Sequence, residues 1–529
     1  MVKICYFQCQ KCKEIRTFPL KTLASFDGKS MYRRTEKQLE FVEFNLPFGG
    51  ELLASNRWVK MSRMIPWHQF ENDYCTNLSN SGQGPPAFSV RMALAALIIK
   101  ERLGQSDEEC VEQILENPYL QFFCGLKTFT TDPPFHPTMF VHFRKRFPVD
   151  VVNRINEIIV KKAVEVIGKD DDQGPGKGSG KGSDKIVEAK PEKMNQGKLL
   201  MDATCIPADI TFPTDMKLLN RAREKTEAII DVLHKSRGKG HKKPRTYRVK
   251  ARKAYLSIAK SKKVRKAKLR KALRSQLCFI KRNLKSIDKL TEVVLLTVLS
   301  KKQYRDLMVI GELYRQQQWM YDHRSNRIDD RIVSISQPHV RPIKRGKAGS
   351  DTEFGAKLSV SLVNGFSFVD RTGWDNFNES GDLVGQVEAY KRRFGFYPES
   401  VHVDKIYRTQ NNRRYCKLRG IRLSGPRLGR PPKLTPENAE RLKAEAQIAR
   451  QDEIDRIPIE GKFGQGKRKY GIGRLMTKLA ETSETAISIC FLVMNLERWL
   501  SAILLRLIFK EQKIVVGMKN YIFLSPQRL

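Results

Sequence analysis

Residues 199–206 read LLMDATCI, an apolar run broken by one acid, Asp202, and closed by Pro207. A short apolar run bounded by a turn residue is the pattern of a strand buried on both faces. Residues 400–407, SVHVDKIY, repeat it around Asp404. An acid inside an apolar strand is costly unless it is paired or bound to a cation. If the two strands are neighbours in one sheet, their carboxylates converge. Like charges that close repel unless a cation lies between them. The plainer reading of either residue is a hydrogen-bonded structural acid.

The segments around these runs complete a sheet. In residues 353–371, Leu358, Val360 and Leu362 alternate, Asn364 and Gly365 give a type I′ turn signal, and Phe366 and Phe368 continue on a return strand. Residues 381–394 carry apolar side chains at helical spacing, and 420–424 read as a short strand. A charged helix is expected from about 435. Another is expected from about 457, with Pro458 near its first turn and Glu460 just inside. Residues 487–508 close the domain as an apolar helix. Two rival acids, Asp370 and Asp375, sit at a strand end and in a loop, where exposure is easy. Between the first two strands lie over 100 residues of basic helix. Without them, the order matches a ribonuclease-H-like α/β mixed sheet. Residues 248–289, dense in Lys and Arg, are equally a solvated face or a DNA clamp.

The chain has 98 Lys+Arg against 57 Asp+Glu, a net charge of +41 and a pI near 9.9. Such a balance points to a polyanion: nucleic acid first, with the ribosome or an anionic membrane surface as alternatives. With 529 residues, several domains are expected. Ten scattered cysteines suit a reducing compartment, and the one CxxC (Cys9, Cys12) has no second ligand pair nearby for zinc. No run reads as a membrane span or a signal peptide; the apolar stretch 491–508 contains Glu497, Arg498 and Arg506.

Residues 90–102 and 107–116 read as helices, the second with Ser106 and Glu109 in capping-box spacing and Asn117-Pro118 as its stop. Residues 139–147 and 151–166 continue the helical pattern. The expected organisation is a leader (1–30), an all-α N-terminal unit for DNA binding or dimerisation (31–167), and a Gly/Ser-rich linker (168–196). A catalytic domain (197–215 and 326–529) follows, interrupted by the basic helical insertion (216–325).

Asp202, Asp404 and Glu460 are the expected metal ligands. Magnesium suits them, because it takes oxygen ligands and leaves positions open for phosphate and water. Arg456 and Lys467 lie four residues before and seven after Glu460, so the three share a helix face. The stretch 460–473, EGKFGQGKRKYGIG, offers Lys462 and Lys467 to phosphates. Gly461 and Gly464 serve either close backbone approach by DNA or tight packing on the sheet. The loop 426–433, PRLGRPPK, with Arg430, reads as a minor-groove arm or as a simple basic turn.

These residues resemble bacterial insertion-sequence DDE transposases of the superfamily carrying the Y-x2-R-x3-E-x6-K signature. Arg456, Glu460 and Lys467 fit its spacing, while Glu453 stands at the tyrosine position. The stretches MDAT around Asp202 and VHVDKIYRTQNNRRYCKLRGIRLSGPRLGRPPK around Asp404 resemble the family's two Asp motifs. FGGELLASNRWVKMS, MALAALIIKERLGQSDEECVEQILENPYLQFFCGL and FRKRF resemble its helical N-terminal domain. The resemblance implies recognition of terminal inverted repeats, Mg²⁺-dependent cutting at the element ends (Mn²⁺ substituting), and joining of the 3′-hydroxyl ends to target DNA. It implies Asp202, Asp404 and Glu460 as ligands, DNA contacts by Arg456 and Lys467, a homodimeric synaptic complex, no membrane, and a bacterial cytoplasmic, nucleoid-associated location. The rivals are a structure-specific nuclease, an inactive DNA-binding copy and a ribosome-associated basic protein.

Overall fold

The computed structural model describes residues 44–46, 49–78, 86–171, 195–238, 240–347, 350–425, 429, 435–436 and 438–522. The expected leader, most of the linker, and Arg430 with most of its loop lie outside the described residues.

Seven helices come first: α1 (Arg57–Met64), α2 (Glu71–Thr76), α3 (Val90–Leu103), α4 (Asp107–Glu116), α5 (Pro118–Phe123), α6 (Met139–Arg146) and α7 (Val149–Asp171). Ser106 caps α4 by accepting from the Glu109 amide, but Glu109 turns to Gln113 and does not complete the expected box. Asn117 and Pro118 stop α4 as expected and at once start α5, with the Asn117 side chain as cap and Pro118 in the first turn.

The sheet follows: β1 (Lys198–Pro207), β2 (Arg341–Lys347), β3 (Ser350–Val363), β4 (Phe366–Gly373), β5 (Ser400–His402) and β6 (Arg422–Leu423). β3 pairs antiparallel with β1, β2 and β4, while β5 runs parallel to both β1 and β6. The β3–β4 turn places Asn364 and Gly365 at φ 51° and 83°, the left-handed values a type I′ turn demands. β2 is a strand that the basic, Pro-containing sequence did not announce. Asp370 is the extra residue of a bulge in β4. Its carboxylate is not exposed, contrary to expectation: it is buried 2.8 Å from Arg393 Nη2.

Between β1 and β2 stand α8 (Asp215–Ser236), α9 (Arg248–Ala259), α10 (Lys266–Thr291) and α11 (Lys301–Asp322). They form a bundle with its own apolar clusters, one around Leu219, Ile280, Ile310 and Leu313, another around Ile230, Leu233 and Ile287. α12 (Leu383–Phe394), α13 (Gln410–Leu418), α14 (Ala439–Lys469) and α15 (Ala480–Ile522) complete the chain.

One continuous core joins the N-terminal helices to the sheet. α15 packs against α3, α6, α7 and β4, and its buried Asn495 ties them together. Asn495 Oδ1 accepts from the Ser367 amide, and its Nδ2 donates to Ser367 O and to Asn156 Oδ1 on α7. Residues 480–506 of α15 are long and apolar enough to cross a membrane, which the sequence reading did not expect. Two-thirds of the most apolar window is buried in this core, and Glu497 pairs with Arg102 of α3.

Two expectations near the site are overturned. Pro458 does not open a helix but sits inside the 31-residue α14. Its ring forfeits one backbone hydrogen bond, while buried Asp452 and Ile459 on either side hold both halves of the helix against the sheet. Asp404 is not inside a strand: β5 ends at His402, and Asp404 is an exposed cap whose Oδ1 accepts from the Lys405 amide, starting a one-turn 3-10 helix.

Candidate active site

β1 carries Asp202 in the middle of the sheet, opposite Val360 on β3. β5 is its parallel neighbour on the other edge, with Leu200 facing His402. Asp404 therefore emerges just beyond the end of the strand beside Asp202. α14 crosses β1 and β5 and brings Glu460 to the same place. All three acids line one cleft of about 810 Å³, with Arg456, Gly464 and Lys467 from α14 and Lys344 and Lys357 from the sheet. The signature spacing explains the α14 set: residues 456, 460, 464 and 467 fall on one helix face.

Arg456 lies between two of the carboxylates. Its Nη2 is 2.8 Å from Glu460 Oε1 and its Nη1 is 3.8 Å from Asp202 Oδ2. Burial pushes the Asp202 carboxyl up to about 6, against the opposing hydrogen bond from the Ala203 amide and the charge of Arg456; Glu379 and Glu460 add to the rise. A carboxylate so desolvated and surrounded by acids calls for a cation. The donors are all oxygens, which suits magnesium or manganese. Among the described residues, no three His, Cys, Asp or Glu side chains are gathered closely enough to hold a metal as they stand. Arg456 must swing from between Asp202 and Glu460 for a metal to be shared by them.

A buried network fixes two parts of the site relative to each other. Asp452, two turns before Glu460, accepts two hydrogen bonds from Arg422 of β6, at 2.8 and 2.9 Å, and one from the Gly425 amide. Burial works to raise the Asp452 carboxyl, but these bonds hold it below its usual value. Its Oδ1 is also 3.5 Å from Nδ1 of buried His402, two residues before Asp404.

Lys462, expected at the DNA, does not line the cleft. It points elsewhere on α14, half-buried, and burial together with Arg498 of α15 lowers its ammonium to about 8. Helical geometry explains this, because residue 462 falls about 200° around the helix from 460. The tight glycines are also not the expected pair. A Cβ at Gly461 meets nothing within 4 Å and one at Gly464 meets only Arg468, whereas one at Gly466 would lie 2.5 Å from Ile472 Cδ1. Gly461 and Gly464 thus have no packing role on the sheet.

Sequence reasoning missed Glu379 and Lys357, which also line the cleft. Glu379 opens a one-turn 3-10 helix that no sequence periodicity announces, and Lys357 reads as a routine strand polar. Lys357 Nζ is 3.7 Å from Glu379 Oε1 and donates to Phe377 O at 2.8 Å. Lys344 and Asn376 lead from this cleft into a second hollow of about 1000 Å³, between β2, β3 and α11. Its wall includes exposed Phe212 and Trp319, and Arg315, Arg327 and Arg331.

Residues 401–497, which include Asp404, Arg456, Glu460 and Lys467, match the model of a Transposase DDE domain. Residues 50–146, which span α1 to α6, match that of a Transposase domain (DUF772). Asp202 and the helical bundle lie outside both matches. A 164-residue stretch is 27% identical to an uncharacterized protein, ORF8 in the nfe locus of Rhizobium meliloti, covering 31% of this chain and 68% of that one. No solved structure matches the chain. Two separate stretches of the chain, one holding its N-terminal helices and one holding two of the three cleft acids, are thus transposase-like in sequence, as the residues alone suggested.

Proposed function

We propose that this protein is a DDE transposase of an insertion sequence. It binds terminal inverted repeats, cuts the DNA at the element ends, and joins the 3′-hydroxyl ends to target DNA. The observation that carries the proposal is the meeting of Asp202, Asp404 and Glu460 in one basic cleft, two of them within the stretch similar to transposase DDE domains. The strand order β2–β3–β1–β5–β6, with β4 also paired to β3, is antiparallel around β3 and parallel from β1 to β6, which supports a ribonuclease-H-like core with α8–α11 as an insertion.

Asp202, Asp404 and Glu460 would hold two divalent metal ions, Mg²⁺ or Mn²⁺. When bound, the ions supply the positive charge that activates an oxygen nucleophile and stabilises the leaving oxygen of a phosphodiester. The chain's own residues do the rest. Lys467, Lys344 and Arg456 present cations to the phosphates flanking the reacting bond. The bare ridge at Gly461 and Gly464 leaves room for a DNA backbone beside Glu460. The Asp452–Arg422 pair keeps α14, and with it Glu460, in register with Asp404. Two copies in a synaptic complex, without a membrane and in the bacterial cytoplasm at the nucleoid, complete the reading.

A structure-specific nuclease would share the cleft but would not join strands. The test is cleavage and joining of inverted-repeat DNA from the source genome in Mg²⁺. Joined products lost in Glu460→Gln support the proposal, and cutting without end preference or joining favours the nuclease.

A further inference from the structure

Residues 233–287 contain 22 Lys and Arg and no Asp or Glu, so this tenth of the chain carries more than half of its net charge of +41. The structure sorts that charge by face. On α10, Gln276, Leu277, Ile280, Asn283, Ile287 and Leu290 are buried against the bundle. The opposite face exposes Lys271, Arg274, Cys278, Arg282, Lys285 and Lys289. These recur every three or four residues, which aligns them in one stripe. The stripe runs about 27 Å at 1.5 Å per residue, close to the axial length of eight base pairs. Asp288 is the only acid of the helix. No salt bridge ties Lys271, Arg274, Lys285 or Lys289 to an acid among the described residues. Arg282 is held by stacking over Tyr247, with its guanidinium carbon 4.6 Å from the ring centre.

A solvated face needs no such segregation. Surface helices ordinarily mix both signs, because like charges at i, i+4 repel. Here the repulsion along α10 is left uncompensated, which costs stability unless an external anion neutralises it. A line of cations this long and evenly spaced complements a phosphate backbone. Apart from Cys278 the stripe is all Lys and Arg, with none of the Asn, Gln, Asp or Glu that read adenine or cytosine edges, and a row of cations along one helix face matches a phosphate backbone. Its anchor also fits: α8 begins at Asp215, 13 residues after Asp202, and α11 borders the hollow continuous with the cleft.

We infer that the outer face of α10 is a docking surface for duplex DNA, gripping the sugar–phosphate backbone without sequence preference. The inference rests on the proposed transposase reading for its partner. It assigns the helical bundle the task of holding a length of duplex away from the reacting bond.

Cys278 gives a direct test, since it is exposed in the middle of the stripe while the other described cysteines are buried or half-buried. The full chain is labelled with a maleimide, with and without a mixed-sequence duplex, and the rate at the Cys278 peptide is read by mass spectrometry. Binding is measured by fluorescence anisotropy against salt, for wild type and for Lys271→Gln/Arg274→Gln/Lys285→Gln. Duplex DNA should slow labelling of Cys278 several-fold. The triple variant should flatten the log–log salt slope by about 2.7, at about 0.9 for each phosphate that is no longer neutralised. The labelling arm uses wild type, so it stands even if the variant fails to fold. Wild type that binds duplex with Cys278 labelled as fast as before, or that shields Cys278 with single-stranded RNA and not with duplex, overturns the docking surface alone. Wild type that binds no duplex at any salt overturns the transposase reading with it.

Discussion

Replacing Asp202 by asparagine should stabilise the metal-free protein at pH 8 while abolishing its chemistry. Asn keeps the size of the side chain and the oxygen that accepts from the Ala203 amide. What it removes is a charge held in the wrong solvent. The Asp202 carboxyl is raised from 3.8 to about 6. A folded-state pKa above the unfolded one means the contribution is favourable below the ordinary Asp range and is lost as the pH rises through about 6. The displacement of about two units corresponds to about 3 kcal/mol lost by pH 8, at about 1.4 kcal/mol per unit. With an unfolding entropy of about 2.1 cal/mol/K per residue over 529 residues, this is a shift in Tm of about 3 °C. The assay is thermal unfolding in EDTA from pH 4 to pH 8, wild type beside Asp202→Asn. The difference should be near zero at pH 4 and grow to about 3 °C in favour of the variant at pH 8. Added Mg²⁺ should then raise the wild type and leave the variant unmoved. A variant less stable than wild type at pH 8, or a gain that is flat across the pH range, would refute the desolvated-carboxylate reading.

Other perturbations separate structure from function. Gly466→Ala should lower stability by about 1–3 kcal/mol in denaturant melts, because its Cβ meets Ile472 and Met494. Gly461→Ala, open on its outer side, should raise stability by up to about 1 kcal/mol. Asp452→Ala breaks the bond pair to Arg422, whose guanidinium is left half-exposed, and should cost about 1–3 kcal/mol. Because Asp452 is held below its usual pKa, that cost should shrink on acidification through and below the ordinary Asp range when measured by urea unfolding. Lys467→Ala should weaken binding to element-end DNA and reduce the salt slope by about one; an unchanged slope would remove Lys467 from the phosphates.

Much of the sheet was legible because its signals are local. The alternation of Leu358, Val360 and Leu362 and the Asn364-Gly365 turn specify the hairpin without help from the rest of the chain. The cap at Ser106 and the stop at Asn117-Pro118 fix α4 to the residue. The meeting of Asp202, Asp404 and Glu460 was legible from two acid-bearing apolar runs and one helical spacing. What was hidden depends on contacts distant in sequence. Pro458 reads as a helix start, and only the burial of Asp452 and Ile459 carries the helix through it. Asp404 looks like a strand residue until β5 is seen to stop at His402. Lys462 and Lys467 look alike in composition, but 462 falls about 200° around α14 from Glu460 and lies beside Arg498 of α15, whereas 467 returns to the cleft face. The merging of the N-terminal helices with the sheet depends on Asn156, Ser367 and Asn495, which no periodicity connects.

The central claim is that Asp202, Asp404 and Glu460 form one phosphoryl-transfer site. It is tested most directly by incubating the protein with a duplex carrying the inverted-repeat end and its flank, Mg²⁺ and a target plasmid, with Glu460→Gln alongside. Wild type should cut the 3′ end at the repeat boundary and join it to the plasmid, with both lost in the variant while end binding persists. Equal cutting and joining by Glu460→Gln would contradict it.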